Sequence, residues 1–191
     1  NNGLIIYNEL VNFAREQNQK ADYKEISTPQ ILDKKLWQIS GHWEKYKDSI
    51  FLSNYEDRVF AVKPMNCPGG MVVYKSSTKS YKELPLRVSE FGVVHRQELS
   101  GVLAGLFRVI KFTQDDAHIF CMENQLENEI INMINLMELY YKTFSLPYHV
   151  ELSTRPEKRI GSDKIWDKSE EILENALKKK KIKYKVNKGD G

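Results

Sequence analysis

The feature that most constrains this chain is a pair of segments, 86–96 and 107–120, both rich in β-branched and aromatic residues. Between them lies Leu99-Ser100-Gly101-Val102-Leu103-Ala104-Gly105, a Gly-containing loop. Two strand-forming runs around such a loop predict a long β-hairpin with an exposed tip. Side chains alternate faces along a strand, so Ile110, Phe112, Gln114, Asp116 and His118 share one face. Arg96 and Glu98 share a face on the other strand, and Arg108 and Asp115 lie on or next to the pair. A core face would be apolar, and an outer face rarely sets an aromatic in register with this much polarity. Two readings fit: the floor of a pocket, or the charged outer face of a sheet with ordinary salt bridges. In a pocket, arginine suits forked contacts with phosphate or carboxylate, and Phe112 suits stacking on a base.

Around the hairpin the periodicity predicts both helices and strands. Leu4 to Gln19 is amphipathic, with Ile6, Leu10, Phe13 and Ala14 on one helical face. Tyr23 to Ser27 reads as extended, and Thr28-Pro29 keeps it out of a helix. Asp33 is a cap for a short helix carrying Leu36, Trp37 and Ile39, ended by Gly41. Ile50–Ser53 and Arg58–Val62 read as strands joined by Asn54-Tyr55-Glu56-Asp57. Pro68 suits the first turn of a helix running to about Lys75. Glu123–Phe144 is a long helix whose Leu126, Ile130, Ile134, Met137 and Tyr141 belong to a core. Tyr148–Ser153 is a strand. Ser162 caps a helix burying Ile165, Trp166, Ile172, Leu173, Ala176 and Leu177, and Tyr184–Asn187 is a last strand. The chain stops on the turn signal Lys188-Gly189-Asp190-Gly191, which reads as a truncation. Hairpins with helices between them predict an α+β fold with a mostly antiparallel sheet.

Composition narrows the function classes. With 29% charged and 41% hydrophobic residues interleaved over 191 positions, the chain reads as one globular domain rather than a disordered one. No run approaches the roughly 20 apolar residues of a membrane span. The net charge of +3 is mild, and much of it sits in the Lys-rich stretch 178–188. That stretch is either a solvated helix end and strand or a hold on RNA phosphates. Cys67 and Cys121 make no disulfide framework, which favours a reduced, cytoplasmic setting. Cys67 and His118 carry zinc-ligand chemistry, but their separation matches no local metal motif, so they are either partners in a site or unrelated. Cys121, after Ile119-Phe120, reads as a small core residue.

The string Arg87-Val88-Ser89-Glu90-Phe91-Gly92-Val93-Val94-His95-Arg96-Gln97-Glu98-Leu99-Ser100-Gly101 resembles motif 2 of class II aminoacyl-tRNA synthetases. Gly105-Leu106-Phe107-Arg108-Val109 and the run from Phe112 to Cys121 are similar to the threonyl branch of that family. So are Lys63-Pro64-Met65-Asn66-Cys67-Pro68-Gly69, Ser40-Gly41-His42-Trp43, and the run from Leu152 to Ser162. The segment around Thr28-Pro29 matches motif 1, which implies a homodimer. The resemblance spans essentially the whole chain. It implies a partial class II catalytic domain over 1–191, with motif 3 and the anticodon-binding domain absent.

The resemblance also implies roles. Cys67 and His118 would ligate zinc, with the third ligand outside this chain. Arg96 would contact the ATP α-phosphate and the amino-acid carboxylate. Glu98 would read the adenine amino group and Phe112 would stack on adenine, with Arg108 also in the ATP site. Met65, Gln114 and Asp116 would border L-threonine, Asp116 beside its hydroxyl. His42 would assist transfer to the ribose of tRNA(Thr). Mg2+ would accompany ATP. Zinc suits this substrate because an apolar pocket separates threonine from valine by only about a hundredfold. Two positions depart from the pattern: Gly70 stands where a histidine is usual, and Ile110 where an arginine is usual. Motif 2 alone would also suit a seryl or prolyl sibling, and Gly70 leaves room for an idle paralogue that binds tRNA or a partner.

Overall fold

The hairpin forms as the alternation predicts, and the rest of the first unit is built on it. In the computed structural model, which describes residues 1–41, 43–44 and 47–191, the chain divides into two compact units, Asn1–Phe120 and Cys121–Gly191. In the first, β5 (Leu86–His95) and β6 (Lys111–Phe120) pair antiparallel, residue for residue, from Leu86 opposite Phe120 to His95 opposite Lys111. The paired strands are shorter than the expected 86–96 and 107–120. Residues 104–108 form their own tight turn, with the Phe107 and Arg108 amides donating to the Ala104 carbonyl and Gly105 at φ +52°. That turn needs a left-handed residue, which glycine supplies at no steric cost.

A two-residue strand, β1 (Lys24–Glu25), joins the other side of β5 in parallel. A second sheet has the order β2 (Ile31–Asp33), β4 (Arg58–Val62), β3 (Leu52–Tyr55), all antiparallel. β3 starts two residues later than expected, because Ile50 is buried with Trp37 and Ala61 in this sheet's core. The turn is correspondingly tighter: Tyr55 pairs with Arg58, and Glu56 takes φ 51°. Asp33 caps α2 (Lys34–Ile39) through the Lys35 amide, as its position before Trp37 predicts.

Helix α1 (Asn2–Lys20) buries only part of the apolar face that its pattern predicts. Ala14 and Asn18 are buried, whereas Ile6 is 61% and Leu10 47% exposed. Polar contacts decide this. Asn18 Nδ2 donates to Asp115 Oδ1 at 2.8 Å, Tyr7 meets Thr113 at 3.3 Å, and Arg15 lies over the Phe91 ring. Arg15 also forks onto Glu25, the contact that holds that carboxyl below its usual range. Helix α3 (Cys67–Lys75) starts at Asn66 with Pro68 in its first turn, as predicted.

The second unit packs α4 (Leu126–Thr143) and α5 (Asp163–Lys179) around Ile130, Ile134, Leu152, Ala176 and Leu177. Its strands β7 (Val150–Ser153) and β8 (Tyr184–Asn187) pair in parallel. Ser162 sits at the N-cap of α5 without a side-chain cap bond, and Ile165 is exposed rather than buried. The first turn of α5 is held by arginines of the preceding loop. Arg159 pairs with Asp163, and Arg155 reaches both Asp167 and Glu170. The fold is α+β, with antiparallel pairing in the majority. Among the described residues no helix is long and apolar enough to cross a membrane.

Candidate functional site

One face of the hairpin carries the chemistry. Residues opposite each other in a ladder point the same way. The register therefore sets Val88, Glu90, Gly92 and Val94 beside His118, Asp116, Gln114 and Phe112 on a single surface. The segment 63–66 and the first turn of α3 lie over that surface. Their hold is a buried polar network: Lys63 Nζ donates to Glu90 Oε1 at 2.8 Å and to Thr28 Oγ1 at 3.0 Å. The Thr28 amide and hydroxyl both donate to the same carboxylate. Gly69 packs so closely on Thr28 that a Cβ there would lie 2.8 Å from Thr28 Oγ1.

At one end of the face the turn into α3 delivers Cys67 to β6. Ligand atoms of Cys67, Asp116 and His118 all lie within 4.8 Å of one another. Burial, and then the charge of Asp116, push the Cys67 thiol above its usual range. Such a thiol loses its proton readily only when a cation binds the sulfur and the proton is released to solvent, and a thiol, imidazole and carboxylate together suit zinc. Gly70 backs this group: a Cβ there would come 3.3 Å from His118 Nδ1. A side chain at position 70, including the usual histidine, would press on the imidazole. Cys121 belongs to the second unit, where burial and Glu129 raise its thiol.

At the other end is a cleft of about 450 Å³ lined by Arg96, Glu98, Arg108 and Phe112, with Leu106, Phe107 and Val109 at its edge. Arg96 Nε donates to the Pro64 carbonyl at 3.2 Å, and its guanidinium carbon stands 5.2 Å from the Phe112 ring centre. Both contacts aim the guanidinium. Arg108 Nε donates to Glu98 at 3.0 Å across the mouth of the cleft. An aromatic face, a directed arginine and a carboxylate can bind a base with an attached phosphate.

The predicted residues therefore fall in two groups. Cys67, Gln114, Asp116 and His118 sit at one end, and Arg96, Glu98, Arg108 and Phe112 at the other. Met65, expected at the substrate, packs against the Trp37 cluster. His42 lies outside the described residues. Sequence reasoning assigned no individual role to Asn66, Lys63 or Glu90 and placed Thr28 only in motif 1, yet these four residues hold the segment before α3 onto the hairpin. One signal was present: Gly92 in mid-strand, a position where glycine marks close approach of another group.

Comparison with known proteins places this arrangement. The family profile described as "tRNA synthetase class II core domain (G, H, P, S and T)" matches residues 49–187. The chain is 53% identical, over its full length, to the threonine–tRNA ligase of Natranaerobius thermophilus, and spans 30% of that protein. It is similar to the crystal structure of the RNA binding domain of threonyl-tRNA synthetase from Cryptosporidium parvum Iowa II, with TM-score 0.95 and 39% identity. That match covers 99% of this chain and 47% of the other. A putative threonyl-tRNA synthetase from Aeropyrum pernix matches with TM-score 0.84 and 32% identity, over 93% of this chain and 42% of the other.

Proposed function

The chain belongs to the tRNA synthetase class II core domain family, and on that premise we propose that its parent protein activates L-threonine with ATP and transfers it to tRNA(Thr). The convergence of Cys67, Asp116 and His118 carries the threonine reading. Threonine differs from valine by a hydroxyl, and a site that binds that hydroxyl with polar groups rejects valine, because those groups would otherwise be left unpaired.

The donor chemistry fits zinc. Cys67 and His118 would hold it with a third ligand from outside this chain, and the ion would supply Lewis-acid chemistry toward the amino acid. Asp116 takes the hydroxyl proton's side: both its oxygens are already fixed, Oδ1 by the Ala117 amide and Oδ2 by Asn66. Gln114 borders the same substrate. Phe112 stacks on adenine, Glu98 accepts from the adenine amino group, and Arg108 keeps Glu98 at the mouth of the cleft. Arg96 bridges the α-phosphate and the threonine carboxylate. The carboxylate oxygen attacks phosphorus, the P–O bond to pyrophosphate breaks, and the charge that builds on the phosphoryl oxygens meets a guanidinium already in place. Mg2+ bound to the phosphates of ATP would offset part of their charge. The parent protein is read as a cytoplasmic homodimer with Thr28-Pro29 near the interface, and His42 assists transfer to the ribose.

Amino-acid-dependent ATP–pyrophosphate exchange by the full-length protein tests this, with threonine, serine, valine and proline. Exchange with threonine and silence with valine is the expected result. Exchange driven by proline or serine above threonine assigns a sibling specificity. Silence with all four, from folded protein, points to an idle paralogue.

A further inference from the structure

Asn66 is 1% exposed and lies directly over the middle of the hairpin. Its Nδ2 donates to Gln114 Oε1 at 3.3 Å and to Asp116 Oδ2 at 3.2 Å. Its Oδ1 is buried and accepts no hydrogen bond. A primary amide serves both neighbours at once, since each presents an oxygen and the NH2 group offers two donors. Turned over, the carboxamide would set Oδ1 against a carboxylate. The niche that holds it exists because Gly92, opposite Gln114 in the ladder, has no side chain. A Cβ on Gly92 would stand 2.1 Å from Asn66 Oδ1 and 2.5 Å from Nδ2. No other residue at 92 leaves the amide where it is.

We propose that Asn66, seated on Gly92, is a positioning residue for amino-acid recognition: one shared N–H donor group orients Gln114 and Asp116 beside Cys67 and His118. This rests on the threonine reading above. With the Ala117 amide on Oδ1, the Asn66 contact on Oδ2 leaves Asp116 a single orientation. The carboxylate then meets the substrate as a preset acceptor. The unpaired Oδ1 is the cost of aiming Nδ2, and a residue chosen for packing alone would not carry it.

The test uses the full-length protein and two substitutions, Asn66→Ala and Asn66→Asp, in ATP–pyrophosphate exchange. Asn66→Asp keeps the shape and removes the donor, which guards against a variant lost to a cavity. Both are expected to raise the threonine KM by at least about tenfold, toward the roughly hundredfold scale of a misplaced substrate group. The ATP KM should stay within about twofold, because the cleft at Arg96 and Phe112 does not touch Asn66. Asn66→Asp should be the worse of the two, since it sets a second carboxylate against Asp116. Gly92→Ala, with Asn66 intact, should reproduce the threonine defect by evicting the amide. The reverse order, with Asn66→Asp near wild type and Asn66→Ala impaired, would mean that only packing matters and overturns the proposal. So would equal rises in both KM values, or unchanged kinetics in all three variants. Absence of threonine-dependent exchange in the unaltered protein instead removes the threonine reading, and this proposal with it.

Discussion

Lys63 Nζ lies 2.8 Å from Glu90 Oε1, with both side chains almost wholly removed from solvent. The pair joins the segment leading into α3 to the centre of β5, and Thr28 completes it with donors from its amide and hydroxyl. Removing one member strands the other charge in the interior. Lys63→Met is therefore expected to destabilise the fold by about 3–5 kcal/mol, read as a fall in the denaturant midpoint. The double replacement Lys63→Met with Glu90→Leu should recover much of that loss, since no charge is then buried alone. A Lys63→Met variant as stable as wild type would show that Lys63 is not required to neutralise Glu90.

Cys67→Ser in the full-length protein should lower zinc content and threonine activation together. A hydroxyl is a far poorer zinc ligand than a thiolate. Metal analysis of the purified variant, run beside pyrophosphate exchange, checks both, and full zinc with full activity would remove Cys67 from the ligand set.

Arg96→Ala should cut activation by several orders of magnitude. Loss of one preorganised group facing developing charge costs about 10²–10³-fold, and Arg96 is read as touching both reactants. Single-turnover adenylate formation measures this directly, and a mere fewfold loss would take away its role in the transition state.

Acid should loosen the second unit. Arg159 holds Asp163, Lys168 holds Glu123, and Lys178 with Tyr184 holds Glu174, each below its ordinary value of 3.8 or 4.5. A carboxylate with a depressed folded-state pKa adds stability above its unfolded value, and that stability is lost as pH falls through the folded one. The thermal midpoint should therefore drop as pH goes below about 4.5. The pairs are exposed, so about 1 M salt should flatten the drop. Circular dichroism melts at stepped pH, with and without salt, provide the check.

Much of the fold was legible locally. The hairpin could be read from alternation and a glycine loop, the start of α2 from Asp33, the start of α3 from Pro68, and α4 from its repeating apolar stripe. Cys67 and His118 could be named as a pair from the family resemblance alone, and Cys67, Asp116 and His118 do converge. The inward face of α1 was read correctly at Ala14 and misread at Ile6 and Leu10, because the helix docks through Asn18, Tyr7 and Arg15 rather than through its apolar residues alone. Ile165 was misread for a related reason, since periodicity identifies an apolar stripe without saying how far along the helix its partner reaches.

The sequence by itself determined which residues share a face of β6, because strand geometry fixes side-chain direction two residues at a time. It also determined the family, through strings long enough to be specific. Only the tertiary structure decided that Asn66 fills the space over Gly92, and that Lys63 meets Glu90 and Thr28. Those contacts join positions 26 to 62 residues apart, and they depend on ladder register and on the path of the loop before α3. Local rules act over a few residues of chain. The distance between two such segments is set by how the whole first unit packs, and no periodicity within either segment encodes it.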